Sequence, residues 1–469
     1  RFIDEAASWG VTNPGGKGVS AVFVDYENDG DEDLYVVNDA IDPATAFPTG
    51  QGNRLYRNEF AQGRATFTDV STSAGVGTQG NGASAAWGDY DGDGYLDLYT
   101  VTNNAFNDDG SPGPKITYYQ EDHLFHNNGD GTFAGVTCQT LPANDPGAGF
   151  CSDPGLGGST GSGFQAVWLD YDRDGDQDLY LAQDYLSRVY HIDGNRLYRN
   201  DGFDPFTGHW KFTDLCALDP SRAECLRINS MGIAVGDFNG DLWPDMAISN
   251  WGGSGGNVLL QNNADGTFED VSRAAGIPRV YQEAGVTSLT WGLGFYDLNL
   301  DGFQDLYVAA GSILDTPTQP NEVFVNTPAH TFLDLSAPSH GADPGTGHGV
   351  SFADYDRDGL VDLYVVNVDG SPILYRNTTP TMGRWLEVAL AGSTSNRDAC
   401  GARVVLTSGG LSQARWVLCG DSLGGGSDTV LHFGGLASGS FTLDVDWPSG
   451  THQTLTGSGT DRLITVTER

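Results

Sequence analysis

A nine-residue acidic pattern occurs six times along the chain and constrains the fold more than any other feature. Its clearest copy is Asp89-Tyr-Asp-Gly-Asp-Gly-Tyr-Leu-Asp97, with relatives at 25–33, 170–178, 237–245, 297–305 and 354–362. Position 1 is always Asp (Asp25, Asp89, Asp170, Asp237, Asp297, Asp354), and so is position 9 (Asp33, Asp97, Asp178, Asp245, Asp305, Asp362). Position 3 holds Glu27, Asp91, Asp172, Asn239, Asn299 or Asp356, and position 5 holds Asp29, Asp93, Asp174, Asp241, Asp301 or Asp358. Oxygen donors two residues apart in a tight loop suit Ca²⁺, which takes roughly 6–8 oxygen ligands. Asp and Gly also favour plain turns, but six copies in register would crowd like charges with nothing to offset them.

The pattern is not an EF-hand. That loop needs a bidentate Glu at position 12 and a helix after it, whereas position 12 here is Val36, Thr100, Leu181, Ile248, Val308 or Val365. Each loop runs into a segment such as Asp97-Leu-Tyr-Thr-Val-Thr102, a β-branched and aromatic run that reads as a strand. The ninth-position Asp must therefore close the site, in a loop that joins two strands. Two copies depart from the pattern. Glu27 is longer and must fold back, and the fourth loop has Leu242 where the others have Gly, with Gly240 placed to relieve the turn.

Further strand signatures follow each loop. Asn53-Arg-Leu-Tyr-Arg-Asn58 is echoed by Asn195-Arg-Leu-Tyr-Arg-Asn200 and Asn257-Val-Leu-Leu-Gln-Asn262, and Phe67-Thr-Asp-Val-Ser by Phe268-Glu-Asp-Val-Ser. Four antiparallel strands per unit, repeated six times, is the pattern of a β-propeller. The segment Phe2-Ile-Asp-Glu-Ala-Ala-Ser-Trp-Gly-Val11 matches the fourth-strand motif, and the sixth unit lacks one after Asn377. The N-terminal strand is thus expected to complete the last blade and remove its exposed edge. Six blades follow from the loops, and seven if the C-terminal region supplies a degenerate one. Beyond the linker 378–383 the acidic loops stop and short alternating runs continue, as expected for a small β-sandwich or barrel. The expected division is a propeller at 1–380 and a β domain at 384–469.

The repeats resemble the FG-GAP/VCBS repeats of integrin α-subunit propellers. That resemblance implies side-chain ligation from positions 1, 3, 5 and 9, and a carbonyl ligand from position 7 (Asp31, Tyr95, Asp176, Trp243, Phe303, Leu360). It also implies seven blades, against six loops here. Trp385-Leu-Glu-Val, Ser395-Asn-Arg-Asp-Ala-Cys-Gly-Ala-Arg-Val404, His432-Phe-Gly434 and Trp447-Pro-Ser-Gly450 are similar to the ASPIC/UnbV domain. The combination resembles the cartilage acidic protein family and its bacterial relatives.

A net charge of −39 and only 23 Lys and Arg argue against a nucleic-acid partner. About six Ca²⁺ would offset part of that charge. No apolar run is long enough to span a membrane, and a monomer is expected. Six cysteines fall in neighbouring pairs, Cys138/Cys151, Cys216/Cys225 and Cys400/Cys419. Local pairing is the simplest connectivity, and it points to an oxidising, extracellular setting. With Arg1-Phe2 opening inside a repeat motif, the chain reads as a mature or trimmed secreted protein.

No catalytic set stands out, and an enzyme is not expected. His-Glu-x-x-His and Gly-x-Ser-x-Gly motifs are absent from the sequence. The most suggestive side chain is His348, whose register mates Phe164, Met231 and Trp291 would ring one mouth of the central channel; a filled channel is the plainer expectation. His432 reads as structural. The leading function is an extracellular binding or adhesion module for protein or glycan, presented by inserts at 103–122, 134–163, 201–229 and 278–288. The alternatives are a carbohydrate-active lyase or hydrolase working in the channel, and a purely structural secreted protein.

Overall fold

A computed structural model describes residues 3–39, 51–78, 80–103, 105–107, 115–118, 121–136, 156, 162–185, 194–206, 208–251, 256–277, 289–311, 319–339, 341, 345–368, 370–437 and 439–469. Cys138 and Cys151, and most of the inserts at 103–122, 134–163 and 278–288, lie outside these residues.

Each acidic loop connects the first two strands of an antiparallel blade. In the second blade the inner strand Gly82–Gly88 pairs with Asp97–Thr102, then His123–Asn127, then the outer strand Phe133–Gly135. Five sheets of this order have four strands. The sixth has three, Gly347–Ala353, Asp362–Asn367 and Ile373–Tyr375.

The N-terminal segment departs from the expected closure. Ile3, Asp4 and Glu5 form no strand, and Ala6–Trp9 is a short helix. Trp9 packs edge-on against Phe67 of the first blade, ring centroids 6.5 Å apart. Equivalent helices follow the outer strands of the first and fourth blades, at Ser71–Ala74 and Ser272–Ala275. Among the described residues, which begin at Ile3, the motif match thus corresponds to the helix and its seat on the next blade, and no strand pairs there with Ile373–Tyr375.

Three of the seams between neighbouring blades share one aromatic contact. Tyr35 of the first blade meets Trp87 of the second at 5.6 Å, Tyr99 meets Trp168 at 6.4 Å, and Tyr307 meets Phe352 at 6.3 Å. All six rings are buried. Between the sixth blade and the first, the corresponding Tyr364 and Phe23 are 43% and 56% exposed. That seam is not sealed by the same contact. At the channel side, Gly424 of the C-terminal domain lies against both Gly349 and Val19.

The C-terminal region is no seventh blade. It forms a three-stranded sheet in which Arg384–Ala391 pairs in parallel with Leu463–Thr467 and antiparallel with Leu431–Leu436. A four-stranded antiparallel sheet contains Leu411–Trp416, Arg403–Ser408, Ser440–Asp446 and His452–Ser458 in that order. Its core is continuous with the propeller, since Leu386, Val404 and Phe433 join the cluster that holds Val24, Tyr35 and Trp87. Cys400–Cys419 staples this domain and Cys216–Cys225 the insert after the third blade.

Candidate metal centres under the C-terminal domain

The six loops share one hydrogen-bond scheme. The first-position Asp accepts the backbone N–H groups of positions 5 and 6, as Asp89 does from Asp93 at 3.1 Å and Gly94 at 3.0 Å. Two residues per loop take left-handed backbone to allow this. They are positions 4 and 6, for example Gly92 at φ 67° and Gly94 at φ 89°. Gly240 does not relieve the fourth loop, because Leu242 itself sits at φ 70°. A side chain in that region costs about 1–2 kcal/mol. Leu242 is held there by packing against the cluster of Val405, Ala414 and Trp416 and by its carbonyl, which accepts from Arg403 Nη2 at 3.1 Å.

The ninth-position Asp is the buried anchor. Asp97 Oδ2 accepts the Tyr90 N–H at 3.2 Å, and its Oδ1 accepts the Asn127 N–H at 2.8 Å. The same two bonds hold Asp33, Asp178, Asp245, Asp305 and Asp362. Asn127 belongs to the third-strand signature, to which the sequence reading gave no role. Its Nδ2 donates to Leu96 O of its own loop and to Tyr26 O of the preceding one. Asn200, Asn262, Asn326 and Asn377 repeat this bridge between consecutive loops. The recurrence of Asn at that position was the available signal.

In four loops three of the carboxylates converge, and among the described residues no loop brings positions 1, 3, 5 and 9 together in one set. Single oxygens of Asp89, Asp91 and Asp93 lie within 4.8 Å of one another, as do those of Asp170, Asp172 and Asp178, of Asp237, Asp241 and Asp245, and of Asp354, Asp356 and Asp362. Among the described residues the first and fifth loops give no such triplet. Asp29, Asp301, Asp174 and Asp358 accept the position-7 N–H groups of Asp31, Phe303, Asp176 and Leu360. Tyr95 and Trp243 donate likewise to Asp93 and Asp241. These bonds turn the position-7 residue back over its loop.

Burial disfavours the charged forms. It pushes Asp33 up to about 9, and Asp25, Asp89 and Asp170 up to about 7, with neighbouring carboxylates adding to the effect. Asp97, Asp178, Asp245 and Asp305 are pushed well above the usual range by the same desolvation. His126, 3.2 Å from both Asp91 and Asp97, is raised to about 9 by its hydrogen bond to Asp97. Buried Oδ1 atoms of Asp31 and Asp172 have no hydrogen-bond partner. Part-buried, oxygen-rich sets with spare lone pairs fit a hard divalent cation. Asn239 and Asn299 keep that donor type while removing a charge.

The C-terminal domain sits on the face that carries these loops and touches all six. Asp398 accepts the Asp25 N–H at 2.8 Å, and Gly94 lies against Thr394 O. Gln177 Nε2 donates to Cys400 O at 3.1 Å, and Arg403 reaches Leu242. Gly302 meets Gly435, and His432 Nε2 is 2.9 Å from Gly359 O. His432 thus contacts the propeller, a docking role that its reading as a structural residue did not include. Arg415 is fully buried nearby, with Asp297 and Asp237 offsetting part of its desolvation.

The channel ring is filled. Met231 and Trp291 are buried with Leu423 of the C-terminal domain, and Phe164 packs against them. His348 lies on Trp291, centroids 4.0 Å apart, and burial lowers it to about 4. The register mates do meet, but around a leucine from another domain.

Family models match in two places. The FG-GAP-like repeat matches residues 42–100, 170–248, 237–308 and 297–365, over half of the chain, and the ASPIC and UnbV model matches 392–469. Cartilage acidic protein 1 of Xenopus tropicalis is 26% identical over 273 residues, covering 47% of this chain and 42% of that protein. The Homo sapiens protein of the same name is 27% identical over 220 residues, covering 46% and 32%. The chain thus spans less than half the length of these relatives. Among solved structures, an exotype rhamnogalacturonan lyase aligns at TM-score 0.35 and 10% identity, covering 78% of this chain and 73% of that one. The Dos1 propeller aligns at 0.33 and 12%, covering 96% and 95%. Scores this low carry no functional inference. The repeat matches and the acidic loops agree: the chain belongs to the FG-GAP-like repeat family, with an ASPIC and UnbV domain at residues 392–469.

Proposed function

We propose that this chain is a secreted calcium-binding propeller that acts as an extracellular binding module for a protein or glycan. One observation carries the reading: six acidic loops lie on one face, and a second domain is seated across all of them. A dication in each loop would neutralise the carboxylates and fix the backbone on which the C-terminal domain rests. The product is a rigid two-domain surface. The two disulfides among the described residues and the names of the relatives support an extracellular setting. No helix of the described residues is long and apolar enough to cross a membrane. A carbohydrate-active centre in the channel is the weaker reading, because Leu423 fills the ring around Trp291 where it would lie.

The test is a binding screen on glycan and cell-surface protein arrays, run in millimolar calcium and again in chelator. Calcium-dependent retention of a defined partner is expected. Silence from folded, calcium-loaded protein on both arrays would refute the binding-module reading.

A further inference from the structure

The residue just before the bridging Asn of each third strand varies with the loop beside it. It is Arg57, His126, Arg199 or Arg376 where position 3 of the loop is an acid, namely Glu27, Asp91, Asp172 or Asp356. Where position 3 is Asn239 or Asn299 it is Gln261 or Val325, and neither carries charge. The base is present only where the acid is. We propose that this third-strand residue sets the calcium affinity of its loop by cancelling the position-3 charge. The inference rests on the calcium-binding reading above and names the residues that tune those sites.

The fold brings the two positions together. In all six blades the bridging Asn donates to the carbonyl of loop position 8, so the residue before it is delivered to the same place beside every loop. Arg376 Nε lies 2.6 Å from Asp356 Oδ2, and its Nη2 lies 3.0 Å from Asp358 Oδ2. His126 Nδ1 is 3.2 Å from Asp91 Oδ2. Arg199 lines one cavity with Asp172 and Asp174. The charges of Arg199 and Arg57 act on Asp172 and Glu27, against the desolvation that raises both carboxyls. Glu59 and Asp201 also hold Arg57 and Arg199, at 2.7 Å. Each of those acids takes a second base, Arg64 or Lys211 at 3.4 Å, so one positive charge is left to face the loop.

Ligand charge governs much of the affinity of a calcium loop. Over positions 1, 3, 5 and 9, the first, third and sixth loops have four carboxylates and one facing guanidinium, and the fourth and fifth have three carboxylates and an Asn. Both arrangements leave the same net charge of −3. The charge offered to the ion is thus held constant while the side chain at position 3 changes. A base that only held the position-3 side chain in place would show the same pairing, but its removal would weaken calcium binding. A base that cancels charge repels the dication, and its removal strengthens binding. A unit charge about 6 Å from a dication, screened as in water, is worth roughly tenfold in affinity.

The test is a calorimetric titration of the full chain with calcium, with native mass spectrometry counting bound ions at limiting calcium. Arg376 is more than half exposed, so its replacement leaves the core intact. Arg376→Gln and Arg199→Gln should each create one site roughly tenfold tighter than in the parent chain. Adding Asp358→Ala to Arg376→Gln should remove that tight ion and so assign it to the sixth loop. Asn239→Asp should tighten the fourth loop in the same way, and Gln261→Arg added to it should return the affinity to the parent range. Unchanged or weaker calcium binding in both arginine variants overturns the inference while calcium binding by the parent chain stands, and so does a double variant that stays tight. A parent chain that binds no calcium overturns the reading beneath it.

Discussion

Removing calcium should lower the melting temperature by on the order of 10 °C, and the size follows from the loops. Extracellular calcium modules bind with Kd of roughly 10⁻⁴–10⁻³ M. At about 10 mM free calcium each site then stabilises the folded chain by about 1.4–2.7 kcal/mol. The chain has six loops, which gives a total of roughly 8–16 kcal/mol. Unfolding entropy near 2.1 cal/mol/K per residue, over 469 residues, is about 1 kcal/mol/K. The expected shift is therefore roughly 8–16 °C if the two domains unfold together, as their shared core requires. Calorimetry with calcium, with magnesium and with chelator measures it directly. Magnesium should substitute poorly, because it demands near-ideal octahedral geometry and dehydrates reluctantly. A melting point within about 2 °C in chelator, on protein shown to be metal-free, would mean that the loops are turns and that mass action contributes nothing.

Three further outcomes follow from the same geometry. Trp87→Ala should cost about 3–5 kcal/mol by denaturant titration, since it empties a buried inter-blade contact, whereas Phe23→Ala at the open seam should stay within about 0.5 kcal/mol. Equal costs would contradict the open seam. Asn127→Ala should cost about 1–3 kcal/mol, because two buried carbonyls, Tyr26 O and Leu96 O, lose their donor; Asn58→Ala, whose amide donates at an exposed position to Glu32 O, should cost less. In chelator the raised carboxylates make stability fall with rising pH. Protons retained by the folded state stabilise it fully below the unfolded carboxylate value near 4. That contribution is lost as the pH climbs through the folded values of about 7 for Asp89 and about 9 for Asp33. Melting temperature should therefore drop from pH 5 to pH 8 without calcium and hold with it, and a rise in chelator would contradict the burial of these groups.

Much of this was legible because it is local. Position 1 of each loop bonds the N–H groups of positions 5 and 6, and position 9 bonds that of position 2, all within nine residues, so spacing alone placed them. Blade order followed from repeats of the same strands. What escaped the sequence depends on distant partners. Asp398 bonds the Asp25 N–H across 373 residues, and His432 meets a glycine carbonyl that any residue could supply. Leu423 fills the channel from another domain, and nothing in Ser422-Leu-Gly-Gly-Gly426 advertises that contact. The N-terminal motif misled for a related reason. Its resemblance to Phe67-Thr-Asp-Val-Ser lies in the helix and its seat on the next blade, and strand pairing needs an edge that Ile3–Glu5 do not meet. Leu242 shows the opposite case, where packing against the cluster of Val405, Ala414 and Trp416 holds a backbone conformation that residue type disfavours.

Metal content tests the central claim most directly. Native mass spectrometry of protein dialysed against calcium should show about six ions per chain, and the Asp93→Ala variant one fewer with the other sites retained. No retained calcium, or an unchanged count in Asp93→Ala, would contradict the assignment of these loops as calcium sites.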